Sequence, residues 1–547
     1  MESSVAWWMA WAIAVVTVSL LLGCDSDPED AAPAQEAPPA ATDDTAGDDD
    51  VTEDAAAEEA ERGLVDASVI DPTFREDDDC FGIDPGGLQD EDVRCGTVEV
   101  PLHYDDPEGP TIDLAVARLI GSDSEVSDHP LMVLGGGPGE VMIEPFLTEP
   151  FARQLFDVGP DLILLDQRGV GSSRPSLVCE EIDDLDVQDS VAQDIDAALE
   201  AAGACRDRLS GDGIDLNGFN HIANAHDVEM VRYAMDADTV DIRGTSYGTQ
   251  LALLTAGLHP DHVRSLILSS PLDPRENWVE QVGAGVDDAL TRVIDVCGLD
   301  DGCSEQIGDL HQAIEETVDR LGEQPEELTV QPPQGEEVTT TYGPTGFLNG
   351  LFTMFYVPDG ISILPAMIDR ARGGDLAPLA QIVAALEEAL QGGVTTGMQL
   401  SMLCSAEAAL ADPDASLDGI ESDLLREHWY PASLLGGAAT GKLCDVWDVE
   451  LAYSPGDVPL PTDTPTLIVT GAFDHVTPPR YGEAIAAELA TSHLVEVANA
   501  GHGPLESLAA CGRQIAADFL ADPTTAPDAT CAADARLTIL PELPGFG

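Results

Sequence analysis

A β-branched run, Thr239-Val240-Asp241-Ile242-Arg243, passes through Gly244-Thr245-Ser246-Tyr247-Gly248-Thr249 into an apolar, helix-forming segment at 250–258. Few folds accept a strand, a Gly-x-Ser-x-Gly turn and a helix in that immediate order. A serine on so sharp a turn takes a backbone conformation that side chains avoid, and glycines two residues either side remove the Cβ atoms that would collide. The helix starting there aims its first N–H groups at negative charge developing beside the serine. Ser246 is therefore the candidate nucleophile, with a purely structural turn as the alternative.

The pattern around it is that of an α/β fold. Segments 97–104 and 111–120 alternate apolar and polar residues about a turn at 105–110, which predicts a hairpin. Short apolar runs at 130–134 and 161–166 have the continuous character of strands buried on both faces. Helical periodicity covers 144–156, 181–209 and 221–235, and 264–270 reads as the strand after the Ser246 helix. Beyond Pro271 the pattern becomes mainly helical, at 282–296, 305–321, 342–355, 361–371, 376–390 and 394–410, with a small hairpin at 327–331 and 337–341. Strand character returns at 464–470 and 494–497, and a helix at 505–520 follows. The expected architecture is a mostly parallel central sheet interrupted by an inserted, mainly helical cap. Its divisions are a core at 80–275 and 461–547 and a cap at 276–460.

Partners for Ser246 are sought downstream. The run Thr466-Leu467-Ile468-Val469-Thr470-Gly471-Ala472-Phe473-Asp474 sets an acid just past a strand's carboxyl end. Asn499-Ala500-Gly501-His502-Gly503 sets a histidine in the turn after the next strand. Nucleophile, acid and histidine in that chain order allow His502 to take the serine proton and Asp474 to fix the imidazole. His475 is the rival histidine, but side chains adjacent in sequence do not easily form the Asp–His bond. Tyr247 N–H is one donor to a tetrahedral oxyanion, and Gly136 or Gly137, in the Gly135–Gly139 loop after a strand, supplies the second. That loop lacks the Gly-Lys-Ser/Thr of a phosphate cradle, Gly169-Val170-Gly171 lacks the third glycine of a dinucleotide fingerprint, and no His-Glu-x-x-His occurs. No cofactor and no metal are expected.

Charge and cysteines set the compartment. A formal net charge of −81, with Lys442 the only lysine, repels nucleic acid and anionic headgroups. An apolar run at 5–22 ends in Leu20-Leu21-Leu22-Gly23-Cys24, like a bacterial lipobox with Cys24 as the lipidated residue. No Lys or Arg precedes that run and Glu2 is acidic, so an uncleaved anchor is the alternative. Segment 1–24 is thus a lipoprotein-type signal, and 25–79, rich in Asp, Glu, Ala and Pro, an acidic disordered linker. Ten further cysteines, an even number without metal-type spacing, point to disulfides in an oxidising compartment. Sequential pairing closes short loops within single substructures: Cys80–Cys95, Cys179–Cys205, Cys297–Cys303, Cys404–Cys444 and Cys511–Cys531.

Gly-Gly-Pro-Gly-Glu at 136–140, Asp-Gln-Arg-Gly-Val-Gly-Ser at 166–172, Gly-Thr-Ser-Tyr-Gly-Thr at 244–249, Gly-Ala-Phe-Asp-His-Val-Thr-Pro at 471–478 and Gly-His-Gly at 501–503 resemble one family. It is the proline iminopeptidase and tripeptidyl aminopeptidase (TAP-like) group of α/β-hydrolases, and the resemblance runs from about Cys95 to Cys531. Gly135 departs from it, since proline iminopeptidases usually have histidine there. The resemblance implies an exported serine hydrolase that releases proline or short peptides from N-termini. It also implies carboxylates that grip the substrate's α-ammonium, for which Glu407 and Glu140 are the candidates. Asp166 and Arg168 are expected to organise the loop beside the oxyanion site. The alternatives are an envelope carboxylesterase or endoprotease of the same fold, and a non-catalytic binding module. Peptide or small-ester substrates, a monomer, no nucleic acid and a lipid anchor as the sole membrane contact complete the expectation.

Overall fold

In the computed structural model one sheet has the order β1 (Phe74–Glu76), β2 (Val93–Pro101), β3 (Thr111–Leu119), β5 (Leu162–Asp166), β4 (Leu131–Leu134), β6 (Val240–Thr245), β7 (Val263–Ser269), β10 (Thr466–Gly471) and β11 (Ser492–Val497). A separate antiparallel pair, β8 (Glu326–Val330) and β9 (Val338–Tyr342), lies in the inserted region. The structure describes residues 65–543, apart from 85–87, 89–91, 122–128, 149–156, 184–190, 333–334, 336, 358, 391–392, 433–436, 438 and 541. The signal segment 1–24 with Cys24, and the linker up to 64, lie outside the described residues.

From β5 across to β11 every neighbouring pair is parallel, whereas β1, β2 and β3 join antiparallel at one edge. Apolar runs without alternation are what such a doubly covered sheet demands. In β4, Leu131 and Val133 enter one core cluster while Met132 and Leu134 enter the other. Strand order reverses around β4, which lies between β5 and β6, and crevices at the carboxyl ends of strands form at such points. The Gly135–Gly139 loop and Ser246 both emerge there.

The folded body starts earlier than the boundary at residue 80. Asp66 caps a helical turn, Ala67–Ile70, and β1 pairs with β2 in the register Phe74↔Val98 and Glu76↔Gly96. The stretch 65–79 is acid-rich, so its composition resembles the tether before it. Backbone pairing with β2 holds it, together with a few apolar side chains, Ala67, Ile70 and Phe74, packed on the core.

Between β7 and β10 the chain is mainly helical, including Trp278–Leu299, Leu310–Glu323, Pro344–Thr353, Gly360–Arg372, Ala377–Leu390, Thr396–Cys404 and Thr440–Trp447. Buried Trp278, Leu351, Phe355 and Trp447 belong to the same apolar cluster as one face of the sheet. Two helices expected as single runs are broken. Residues 505–520 divide into Pro504–Ser507 and Ala510–Ala521 around Ala509 at φ 49°, and 394–410 divides after Cys404. Within the 181–209 run the described residues form helices at Glu180–Asp183 and Val191–Gly211.

All ten cysteines among the described residues pair as Cys80–Cys95, Cys179–Cys205, Cys297–Cys303, Cys404–Cys444 and Cys511–Cys531. The Cys404–Cys444 bridge spans the longest sequence separation, 40 residues, and ties the Thr396–Cys404 helix to Thr440–Trp447. Replacing both cysteines by alanine should cost about 4 kcal/mol by loop-closure entropy. Denaturant unfolding of the double variant checks this, and a loss under 1 kcal/mol would contradict it.

Candidate active site

Ser246 caps the helix Tyr247–Leu258 with φ 56° and ψ −125°, a left-handed conformation costly for any side chain. The surroundings enforce it. A Cβ on Gly244 would stand 2.2 Å from the Gly248 carbonyl oxygen, and one on Gly248 would stand 2.2 Å from that of Leu134. Strand, turn and helix therefore close as tightly as backbone allows. Ser246 N–H donates to the Ser269 carbonyl (3.0 Å), and its side chain faces a half-buried position at the sheet rim.

His502 and Asp474 meet at the same rim. The His502 Nδ1 lies 2.9 and 3.0 Å from the two Asp474 carboxylate oxygens. Asp474 is 2% exposed, and it also accepts Val476 N–H (3.0 Å), Thr477 N–H (2.8 Å), Thr477 Oγ1 (2.7 Å) and Ser270 Oγ (2.6 Å). Burial alone would raise its pKa, but His502 and these donors outweigh that and lower it to about 2. For His502, burial favours the neutral ring, yet Asp474, with Glu506 and Glu140 beyond it, raises the pKa above its usual value. Ser246 and Gly503, the residue after His502, are tied to consecutive residues where β7 ends. Ser246 N–H goes to Ser269 O, and Gly503 N–H goes to Ser270 Oγ (2.9 Å). The cap completes the histidine's setting: the Phe355 carbonyl accepts His502 N–H (3.0 Å), and the Tyr356 ring stands edge-on at 5.2 Å. His475 is enclosed by Phe352, Phe355 and Tyr356, and burial lowers its pKa to about 3. It is a neutral packing residue.

The glycine loop passes directly beside the serine. A Cβ on Gly136 would lie 3.3 Å from the Ser246 Cβ and 3.2 Å from the Thr245 carbonyl oxygen. Tyr247 N–H belongs to the first residue of the Ser246 helix, and the Tyr247 ring is buried beneath, its hydroxyl accepting from Asn224 Nδ2 (3.2 Å). Asn224 also donates to Gln167 Oε1 (2.7 Å), and Gln167 Nε2 donates to the Gly135 carbonyl (3.3 Å). Asp166 accepts the N–H groups of Met142 (2.9 Å), Ile143 (3.0 Å) and Ser172 (2.8 Å). Arg168 forks onto Asp227 at 2.7 and 2.6 Å, both side chains fully buried. This Asp-Gln-Arg segment holds the glycine loop without reaching the open side of the site.

Two expectations need correction. Gly136 N–H is not open to a ligand here, because it donates to Glu140 Oε2. Glu407 is not in reach of a substrate: it is 0% exposed, it accepts from Gln250 Nε2, and its other oxygen lies 3.2 Å from His221 Nε2. Burial opposes its charge, but His221 and Gln250 prevail and lower its pKa. A buried carboxylate with its own partners braces the cap against the Ser246 helix. Glu506 is the residue sequence reasoning missed. It accepts from Arg243 Nη2 (2.8 Å), Thr245 Oγ1 (2.8 Å) and Ser269 Oγ (2.7 Å), directly under the turn that carries Ser246. The signal was Arg243, a guanidinium in the middle of a buried strand. Among the described residues, two groups could hold a metal by proximity: Cys179, Glu181 and Cys205, whose thiols form a disulfide, and Glu229, His259 and His262, whose carboxylate is already taken by Arg232 at 2.6 and 2.8 Å.

Comparison with known proteins gives the class. Residues 129–304 match a family described as the alpha/beta hydrolase fold, and 434–531 match one described as TAP-like protein. The chain is an α/β hydrolase with a TAP-like C-terminal region. It is 26% identical over 444 residues to the serine protease Hip1 of Mycobacterium tuberculosis, covering 75% of this chain and 81% of that one. It is 24% identical over 422 residues to carboxylesterase B of the same organism, covering 73% and 78%. The tripeptidyl aminopeptidase of Streptomyces coelicolor matches at 28% over 202 residues, 34% of this chain and 36% of that one. A crystal structure of proline iminopeptidase from Mycobacterium smegmatis overlays with a TM-score of 0.34 at 13% identity, covering 78% of this chain and 98% of that one.

Proposed function

We propose that Ser246, His502 and Asp474 form the catalytic triad of an exported aminopeptidase that releases proline or short peptides from N-termini. The observation that carries this reading is the His502 Nδ1 contact to both oxygens of a buried Asp474, together with a serine held at φ 56° on the turn after β6. Ser246 Oγ attacks the scissile carbonyl while its proton passes to His502 Nε2. Asp474 stabilises the imidazolium so formed. Tyr247 N–H and an N–H of the Gly136–Gly137 segment receive the oxyanion. Collapse breaks the C–N bond, the leaving amine takes the proton from His502, and water, deprotonated by the same histidine, releases the acyl group from Ser246. The reading includes a monomer, tethered to the envelope by a lipid on Cys24. Five disulfides support an oxidising compartment.

Hydrolysis of prolyl and tripeptidyl anilides, with and without N-acetylation, tests the exopeptidase reading. Rates indifferent to acetylation would reject it. The similarity to a carboxylesterase over nearly the same span makes short acyl esters the comparison substrates, and a preference for them over every peptide would favour an esterase. The base works only when His502 is neutral. Because Asp474 raises the His502 pKa, kcat/KM should fall as pH drops through a value above the ordinary 6.5. Asp474, at about 2, should add no limb in the working range. A pH–rate profile with its acid limb below 6.5 would contradict this assignment.

A further inference from the structure

One carboxylate of this rim has no part in the proton transfers above. Glu506 stands on the short helix Pro504–Ser507 that follows His502. Its Oε1 accepts from Arg243 Nη2 (2.8 Å) and Thr245 Oγ1 (2.8 Å), and its Oε2 accepts from Ser269 Oγ (2.7 Å). Thr245 is the residue before the nucleophile, and the Ser269 carbonyl accepts the Ser246 N–H. Ser269 Oγ also accepts the Leu505 N–H (3.3 Å). Glu506 thus bonds both strand ends that shape the Ser246 turn, and it does so from the segment that carries His502.

The adjacent serine makes the matching tie for the acid. Ser270 Oγ donates to Asp474 (2.6 Å) and accepts the Gly503 N–H (2.9 Å). Ser269 and Ser270 at the end of β7 therefore link all three triad segments, and Glu506 closes the link on the nucleophile's side. Stability alone does not call for a charge in this place. Arg243 is 2% exposed and Glu506 21%, and replacing so enclosed an ion pair with apolar residues of similar size is often neutral or stabilising. What the ionised carboxylate adds is negative charge near the histidine. Arg243 and the two hydroxyls keep Glu506 ionised against burial. Asp474, Glu506 and Glu140 are the acids that face His502, and each favours its protonated ring. Burial and Glu506 itself press Glu140 towards its neutral form, and the nearby Tyr356 and His475 are both neutral.

We propose that Glu506 is a positioning residue, which locks the Ser246 turn to the His502 segment and supplies a second negative charge, beside that of Asp474, for the imidazolium formed when the serine is deprotonated. It acts through Thr245, Ser269 and the field at His502. This rests on the triad of the proposed function and extends it.

The experiment compares Glu506→Gln and the double variant Arg243→Met/Glu506→Gln with the unaltered protein. It reads kcat, KM and the pH profile of kcat/KM on one anilide substrate, with a thermal melt of each preparation. The double variant leaves no guanidinium unpaired, so it separates the role of Glu506 from the cost of an orphaned buried charge. Both should lower kcat by about 10- to 100-fold with KM within about threefold, and both should move the acid limb to lower pH by about half a unit or more. Glu506→Asp, which keeps the charge and shortens the reach, should restore most of the acid limb and little of kcat. An acid limb that stays in place in both Gln variants overturns the proposal, as does a loss confined to the melting temperature with kcat unchanged. Failure of the triad reading shows separately, since a fluorophosphonate would then label the unaltered protein elsewhere than Ser246.

Discussion

Ser246→Ala should lower kcat on any amide or ester substrate by about 10⁶-fold, the loss found when the nucleophile of such a triad is removed. Stability should hardly change. The strained conformation is set by the close approaches of Gly244 and Gly248, which alanine leaves in place. Initial rates with an anilide substrate and a thermal melt of the same preparation check both halves. A variant that keeps its melting temperature and retains activity within tenfold would mean that another group attacks the carbonyl.

Asp474→Asn should cost about 10⁴-fold in kcat, because an amide facing Nδ1 holds the wrong imidazole tautomer. The pH dependence should move as well. Asp474 is the main influence raising the His502 pKa against burial, so the surviving activity should show its acid limb at lower pH than in the unaltered protein. Burial of the site makes this shift larger than a surface pair would give, since His502 is only 9% exposed and Asp474 is enclosed. A full pH–rate profile of the variant reads it. An unshifted limb with a small rate loss would separate Asp474 from the histidine's chemistry.

The sequence was legible wherever local pattern and backbone constraint coincide. The strand, turn and helix about Ser246 are visible because Gly244 and Gly248 have no alternative at those close approaches. The parallel sheet is visible because β4, β5 and β10 are apolar without alternation. Less visible was anything decided by side chains meeting across the chain. Glu407 and Glu140 look alike in a chain with so many acids, yet one is sealed behind His221 and Gln250 and the other lies on the Gly136 amide. Glu506 sits 263 residues from Arg243, and no periodicity links them. The stretch 65–79 was read as linker because its strand is held by backbone pairing, which composition does not report.

Trapping the nucleophile in the native protein bears hardest on the whole account. After reaction with a fluorophosphonate and proteolysis, mass mapping should find one adduct, on the peptide containing Ser246. The adduct should be absent in Ser246→Ala and should form orders of magnitude more slowly in His502→Gln. An adduct on another residue, or labelling of Ser246 that proceeds undiminished without His502, would contradict the site described here.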